Sequence, residues 1–234
     1  SLLGDVSHGV FLNKNPIFLG GQGGLVGPAR IAYGSVIAAG GICRKDIPME
    51  NQLHIPPVPK PGTRSYDTGV YQGIDRIVES NLLYIGNIVA LKEWYRNVRQ
   101  TFMCRDRFDK ACLAGGLKNL DLVLAERIKR LGGLAQNMKH SFLRRAKLDD
   151  APEAIAASQY LFYNTWETME FELKQSSWSE NTPAREAFLA AVESMPVGGS
   201  YLDTIRSLDP ETRQAGQAWL QSIVDEVAKL WTSK

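Results

Sequence analysis

The sequence predicts an α+β chain in three parts. These are a short left-handed parallel β-helix over residues 1–47, a proline-rich strap over 48–64 and an α-helical bundle over 65–234. Three observations carry the prediction. Leu19, Leu25, Ile31, Ile37 and Cys43 stand six residues apart and are all apolar. Pro48, Pro56, Pro57, Pro59 and Pro61 crowd one short stretch. Beyond it every strong apolar pattern has the three-and-four spacing of a helix.

The six-residue period comes first because a fixed short repeat outranks local helix or strand signals. Four positions into each unit sit Gly23, Ala29, Ser35 and Gly41, all small. A parallel β-helix with one flat side per unit places the aliphatic residue inward and the small residue at a corner, where glycine tolerates unusual backbone angles. Leu25, Ile31 and Ile37 are the expected interior. The competing reading is a glycine-rich phosphate loop at Gly20-Gly21-Gln22-Gly23-Gly24. Neither a Walker pattern nor G-x-G-x-x-G leading into a convincing helix supports it.

The stretch Leu19-Gly-x4-Leu25-Val-x-Pro28-x2-Ile31-x2-Gly34-x2-Ile37-Ala-Ala-Gly40 resembles the last coils of bacterial hexapeptide-repeat transferases. In particular it is similar to the bifunctional N-acetylglucosamine-1-phosphate uridylyltransferase and glucosamine-1-phosphate acetyltransferase. Arg44-Lys45-Asp46-Ile47 and Glu50-Asn51-x-Leu53-x-Ile55-x2-Val58-Pro59 resemble that family's exit from the prism. The resemblance covers residues 17–60.

The resemblance implies the C-terminal region of a UDP-N-acetylglucosamine pyrophosphorylase-like nucleotidyltransferase, with an architectural or oligomerisation role for this chain. The family's Mg²⁺-dependent nucleotidyl transfer needs a Rossmann-like domain, expected upstream of Ser1. The chain opens at Ser1 in repeat-like sequence and shows about two coils, too few to stand alone, which suggests a longer parent. The family's other activity, acetyl transfer from acetyl-CoA, implies Gly21 and Ala39 as cofactor contacts. It also uses an arginine just after the last coil, and that position is Pro57, which cannot donate. Arg44, Lys45 or Lys60 are the candidate substitutes. Hexapeptide transferases are typically trimers, so a homo-oligomer is the expected state, with the nucleotide sugar held by the upstream region.

His8 is the candidate general base, since an imidazole titrates near neutrality. It does not align with the family's catalytic histidine. The alternative reading is a loop histidine. A non-catalytic binding or assembly module is the third functional class.

Composition bounds the rest. The 234 residues are 44% hydrophobic and 22% charged, an ordinary globular balance. Three scattered cysteines without a C-x-x-C pair argue against a zinc knuckle or a disulfide framework, consistent with a reducing cytoplasm. No apolar run is long enough to span a bilayer and no signal peptide opens the chain. Residues 65–149 hold fifteen Lys and Arg against nine Asp and Glu, while 150–234 hold six against thirteen. This reads as two solvated faces of opposite sign rather than a nucleic-acid surface.

Within the helical part, Val70 to Val89 mark one apolar face, weakened at Gly73 and Gly86. Asp106 is the expected cap of a second helix carrying Leu113 to Met138, with Gly115-Gly116 and Gly132-Gly133 as expected bends or breaks. Asp150-Ala151-Pro152-Glu153, Thr182-Pro183 and Asp209-Pro210-Glu211 read as helix starts. Met195-Pro196-Val197-Gly198-Gly199 reads as a stop. The aromatic and methionine stripes on these helices read as core.

Overall fold

The computed structural model describes residues 1–58, 60–63, 68–146, 153–174, 177–178, 181–195 and 200–231. The expected helix start at Asp150-Ala151-Pro152, the stop at Pro196–Gly199 and Pro59 of the strap lie outside the described residues.

The N-terminal region holds seven strands of two residues each. These are β1 (Leu2–Leu3), β2 (Phe18–Leu19), β3 (Gly24–Leu25), β4 (Arg30–Ile31), β5 (Val36–Ile37), β6 (Ile42–Cys43) and β7 (Leu53–His54). They pair in parallel as β1-β4, β2-β5-β7 and β3-β6. The register follows the six-residue period, with Phe18 opposite Val36 and Gly24 opposite Ile42.

The expected left-handed β-helix is not what these residues build. The pairs stay as three separate small sheets, no closed or curled sheet forms, and the chain is 61% helical. The physical reason is the brevity of each strand: turns at every unit stop the pairing after two residues. The region's own core is correspondingly small. Ile31, Ile37, Cys43 and Ile47 are buried together, with Ile17 and Leu25 partly covered beside them. Leu3 and Leu19 remain about half exposed.

Stability comes instead from docking onto helices. The main helices are α2 (Ile74–Trp94), α4 (Arg107–Ala146), α5 (Glu153–Leu173), α6 (Pro183–Glu193) and α8 (Pro210–Ala228). Shorter pieces are α1 (Val6–Gly9), α3 (Gln100–Phe102) and α7 (Tyr201–Arg206). A π-helical stretch, Tyr95–Arg99, joins α2 to α3. Helix starts follow local chemistry. Thr182 and Asp209 accept hydrogen bonds from the backbone N–H of Arg185 and Thr212, each with proline in the first turn. Asp106 likewise accepts from the N–H of Asp109 at 2.8 Å.

The glycine pairs do not break α4, which runs uninterrupted for 40 residues. Gly116 faces the ring of Tyr95, and Gly132 faces the indole of Trp166, where a Cβ would come within 2.9 Å of each. Gly86 plays the same part where α2 crosses the backbone of Val224 on α8. The missing side chains therefore permit close packing, at a cost in helix propensity of about 1 kcal/mol per glycine that packing offsets.

One large core runs through α2, α4, α5, α6 and α8, and it contains one residue from the N-terminal segment. Phe11 is fully buried. Its ring meets Trp94 edge-on at 5.2 Å and Phe188 at 5.9 Å, while Trp94 and Phe188 stack at 5.7 Å. Gly216 of α8 makes room, since a Cβ there would lie 2.7 Å from Phe11 and 2.8 Å from Phe188.

Truncating a buried phenylalanine removes its transfer energy and leaves a cavity. Phe11→Ala is expected to destabilise the protein by about 3–5 kcal/mol, read from urea unfolding followed by tryptophan fluorescence. A loss under about 1 kcal/mol would mean that the segment does not sit in the core.

Candidate functional site

The polar groups closest to a chemical site lie on α1, just before Phe11 enters the core. Asp5 is the N-cap of α1, and its Oδ1 accepts the backbone N–H of His8 at 2.8 Å. The same oxygen lies 2.7 Å from Nδ1 of His8 and 2.9 Å from Oγ of Ser7. An ionised carboxylate only accepts, so Nδ1 carries the proton toward Asp5. In the neutral ring the free lone pair then sits on Nε2. The His8 side chain keeps 38% of its surface exposed, so the imidazole stays open to solvent.

The rest of the fold holds this short turn in place. Ser7 is fully buried, and its hydroxyl lies 2.8 Å from Oε1 of Gln221 on α8. Asn87 of α2 accepts the N–H of Val6 at 2.7 Å and donates to the carbonyl of Leu83 at 2.8 Å. The hydroxyl of Tyr33 donates to the carbonyl of Asp5 and accepts its N–H at 3.1 Å. Tyr33 fits there because Gly4 and Gly9 flank it; a Cβ on either would lie within 2.4 Å of its ring or hydroxyl. A cavity of about 310 Å³ adjoins the network between the strands and helices α2 and α8, with Arg30, Asp46, Asn87 and Gln221 on its walls.

Electrostatics follow the geometry. The Asp5 hydrogen bond raises the His8 pKa above its ordinary value of 6.5, against the opposing effect of partial burial. Burial pushes the Asp5 carboxyl up, but the side-chain and backbone hydrogen bonds from His8 outweigh it and leave its pKa below 3.8.

The other expected positions meet elsewhere. The Gly40 N–H donates to the Gly21 carbonyl at 2.9 Å, and Gly20 lies against the backbone of Ala39. Pro56 covers Gly41, which brings Pro57 to the same neighbourhood. Gly21, Ala39 and Pro57 thus converge on the turn that follows β5. His8 belongs with Tyr33 on the turn that precedes β5. The acetyl-CoA contact positions and His8 are not brought together in one chain.

A Cβ on Gly21 would meet no atom within 4 Å, so the turn is open on that side. Arg44, Lys45 and Lys60 are all exposed. Among the described residues, no group of three His, Cys, Asp or Glu side chains is placed to hold a metal ion such as Mg²⁺. No described helix is long and apolar enough to cross a membrane. No family model matches this chain, and neither the curated proteins nor the solved structures give a match.

The sequence points to His8 but not to its partners. Asp5 was legible in principle, as an acidic cap three residues before a histidine. Tyr33, Asn87 and Gln221 arrive through tertiary contacts and leave no local signal.

The paired shifts make stability depend on pH. His8 binds its proton more tightly folded than unfolded, so its contribution is complete below about pH 6.5 and is lost as pH rises through the raised folded value. Asp5 contributes above about pH 3.9, and that contribution is lost as pH falls through its depressed folded value. The stability difference between the wild type and His8→Gln is therefore expected to be larger at pH 5.5 than at pH 8.5, by urea unfolding. A difference independent of pH would show that the pair does not form.

Proposed function

We propose an architectural function: this chain is the self-associating region of a sugar-phosphate nucleotidyltransferase of the UDP-N-acetylglucosamine pyrophosphorylase kind. The resemblance of Leu19–Gly40 supports the parentage. In this reading the nucleotide sugar and Mg²⁺ belong to a nucleotidyltransferase domain outside the chain. The observation that carries self-association is an apolar row across the three-stranded sheet. Phe18, Val36 and Leu53 stand opposite one another in register. Their exposures are 61%, 36% and 67%, and Ile55 and Val58, which follow Leu53 in the chain, are 72% and 91% exposed. Contiguous apolar surface of this kind favours association. The sheet's short open edges offer further backbone donors and acceptors.

The occupant proposed for this face is a second copy of the same chain, in a closed ring for which a trimer is the expected form. Light scattering is expected to return a multiple of 25.9 kDa. Leu53→Lys, on the exposed face and outside either core, is expected to shift the mass to the monomer without unfolding the protein. A monomer mass for the wild type up to high micromolar concentration would overturn the reading.

A second reading, acyl transfer from acetyl-CoA, is favoured by the Asp5–His8 pair. A carboxylate that fixes Nδ1 leaves Nε2 as a base for an acceptor amine or hydroxyl. Self-association would be needed to carry a Gly21–Ala39 turn to a neighbour's His8. Pro57 in place of a phosphate-holding arginine removes a charge-assisted hydrogen bond, a loss of about 1.5–3 kcal/mol. Calorimetric titration with acetyl-CoA is therefore expected to show weak binding or none. Micromolar binding lost in Ala39→Trp, with turnover lost in His8→Ala, would make the chain an acyltransferase.

A further inference from the structure

A second cavity lies between α2, α4 and α5, and no residue of the His8 network lines it. Its volume is about 580 Å³, within the range of roughly 300–1,000 Å³ typical of small-molecule sites. Its floor is apolar, formed by Leu124 and Ile128 of α4 with Leu173 of α5. Trp166 closes one wall, 96% buried, with its indole nitrogen edge against Gly132. A side chain at Gly132 would press on that indole, so the glycine sets how closely α4 and α5 approach at this wall.

The polar groups around this floor are sorted by charge. Both acidic residues are already engaged: Asp121 pairs with Lys92, and Glu170 pairs with Lys174 at 2.8 Å. Three donors have no hydrogen bond or ion pair among the described residues, namely the ammonium of Lys129, the side-chain amide of Gln136 and the indole N–H of Trp166; Lys129 also feels the charge of Glu126, which is itself paired with Arg130 at 2.8 Å. The wall carries three lysines against two carboxylates. An apolar floor with uncommitted donors and a positive surplus calls for a ligand with an apolar body and an anionic acceptor. A cationic or purely polar molecule would leave Lys129 opposed or the floor unmatched.

We propose that this cavity binds a free anionic amphiphile of the fatty-carboxylate class. Its hydrocarbon lies on Leu124, Ile128 and Leu173, and its carboxylate accepts from Lys129 and from Trp166 Nε1. The cavity sits between three helices and takes single chains, not a lipid surface. The site is independent of the acyl-transfer and self-association readings.

The test uses calorimetric titration of the intact chain with dodecanoate below its micelle concentration. Dodecyltrimethylammonium serves as the cationic control. Dodecanoate is expected to bind saturably at one site per chain, with the cation at least about tenfold weaker. Lys129→Met is expected to weaken dodecanoate about fivefold, the scale of one partly exposed ion pair. Gly132→Leu is expected to abolish binding. Because that variant presses on Trp166, Ala125→Phe at the exposed mouth serves as the second block, and circular dichroism verifies that it folds. The proposal is overturned by any of four results. These are no saturable dodecanoate binding to the wild type, equal affinity for the cation, unchanged affinity in folded Ala125→Phe, or flotation with phosphatidylglycerol vesicles in place of monomer binding.

Discussion

The seat of Phe11 between Trp94, Phe188 and Gly216 is the contact on which the N-terminal region depends. The strand region's own apolar cluster has only four buried members, Ile31, Ile37 and Cys43 on strands and Ile47 beside them. That is far too little apolar area to offset the entropy of ordering more than fifty residues. The helical core is large, and Phe11 ties the strands into it. Polar contacts around the joint fix the angle of approach. Arg76 of α2 donates to the Pro28 carbonyl at 2.8 Å and reaches Asp46, which also holds the Arg30 backbone. These surface charges add little energy individually. They orient, while the aromatic cluster supplies the bulk of the attraction.

The same joint builds the His8 turn. Phe11 anchors the chain from below, Asn87 and Gln221 reach α1 from two different helices, and Tyr33 reaches it from the strands. Three elements distant in sequence therefore converge on a four-residue helix that has no stability of its own. A histidine oriented by a carboxylate on such a frame is prepared for proton transfer. Yet the cofactor positions implied by the hexapeptide resemblance fall at the next turn along, which is why the function proposed above is architectural.

Much of the helical part was legible because its signals are local. The caps at Thr182 and Asp209 with their prolines, and the stripe Trp219, Ile223, Val227, need no tertiary knowledge. Gly115-Gly116 and Gly132-Gly133 misled because a helix break and a close helix contact have the same sequence signature. Only Tyr95 and Trp166, on other segments, distinguish them. The six-residue period was a true signal of parallel register, as Phe18–Val36 and Gly24–Ile42 show, but register does not imply closure. The fold prediction failed at that step, since short pairs can be held by a neighbouring bundle instead of by a continuous coil. Of the candidate site, His8 was visible and its Asp5 cap was within reach of local reasoning. Nothing in the sequence marks the cavity at Trp166, because the absence of a side chain at Gly132 has meaning only opposite an indole.

The strands are a dependent layer held by Phe11, not an autonomous fold. Native-state amide hydrogen exchange on the wild type and Phe11→Ala tests this most directly. The amides of Ile31, Ile37 and Cys43 are expected to lose protection together in the variant, while those of α4 and α5 keep most of theirs. Full protection of the strand amides in Phe11→Ala would contradict it and show that the N-terminal region stands without the bundle.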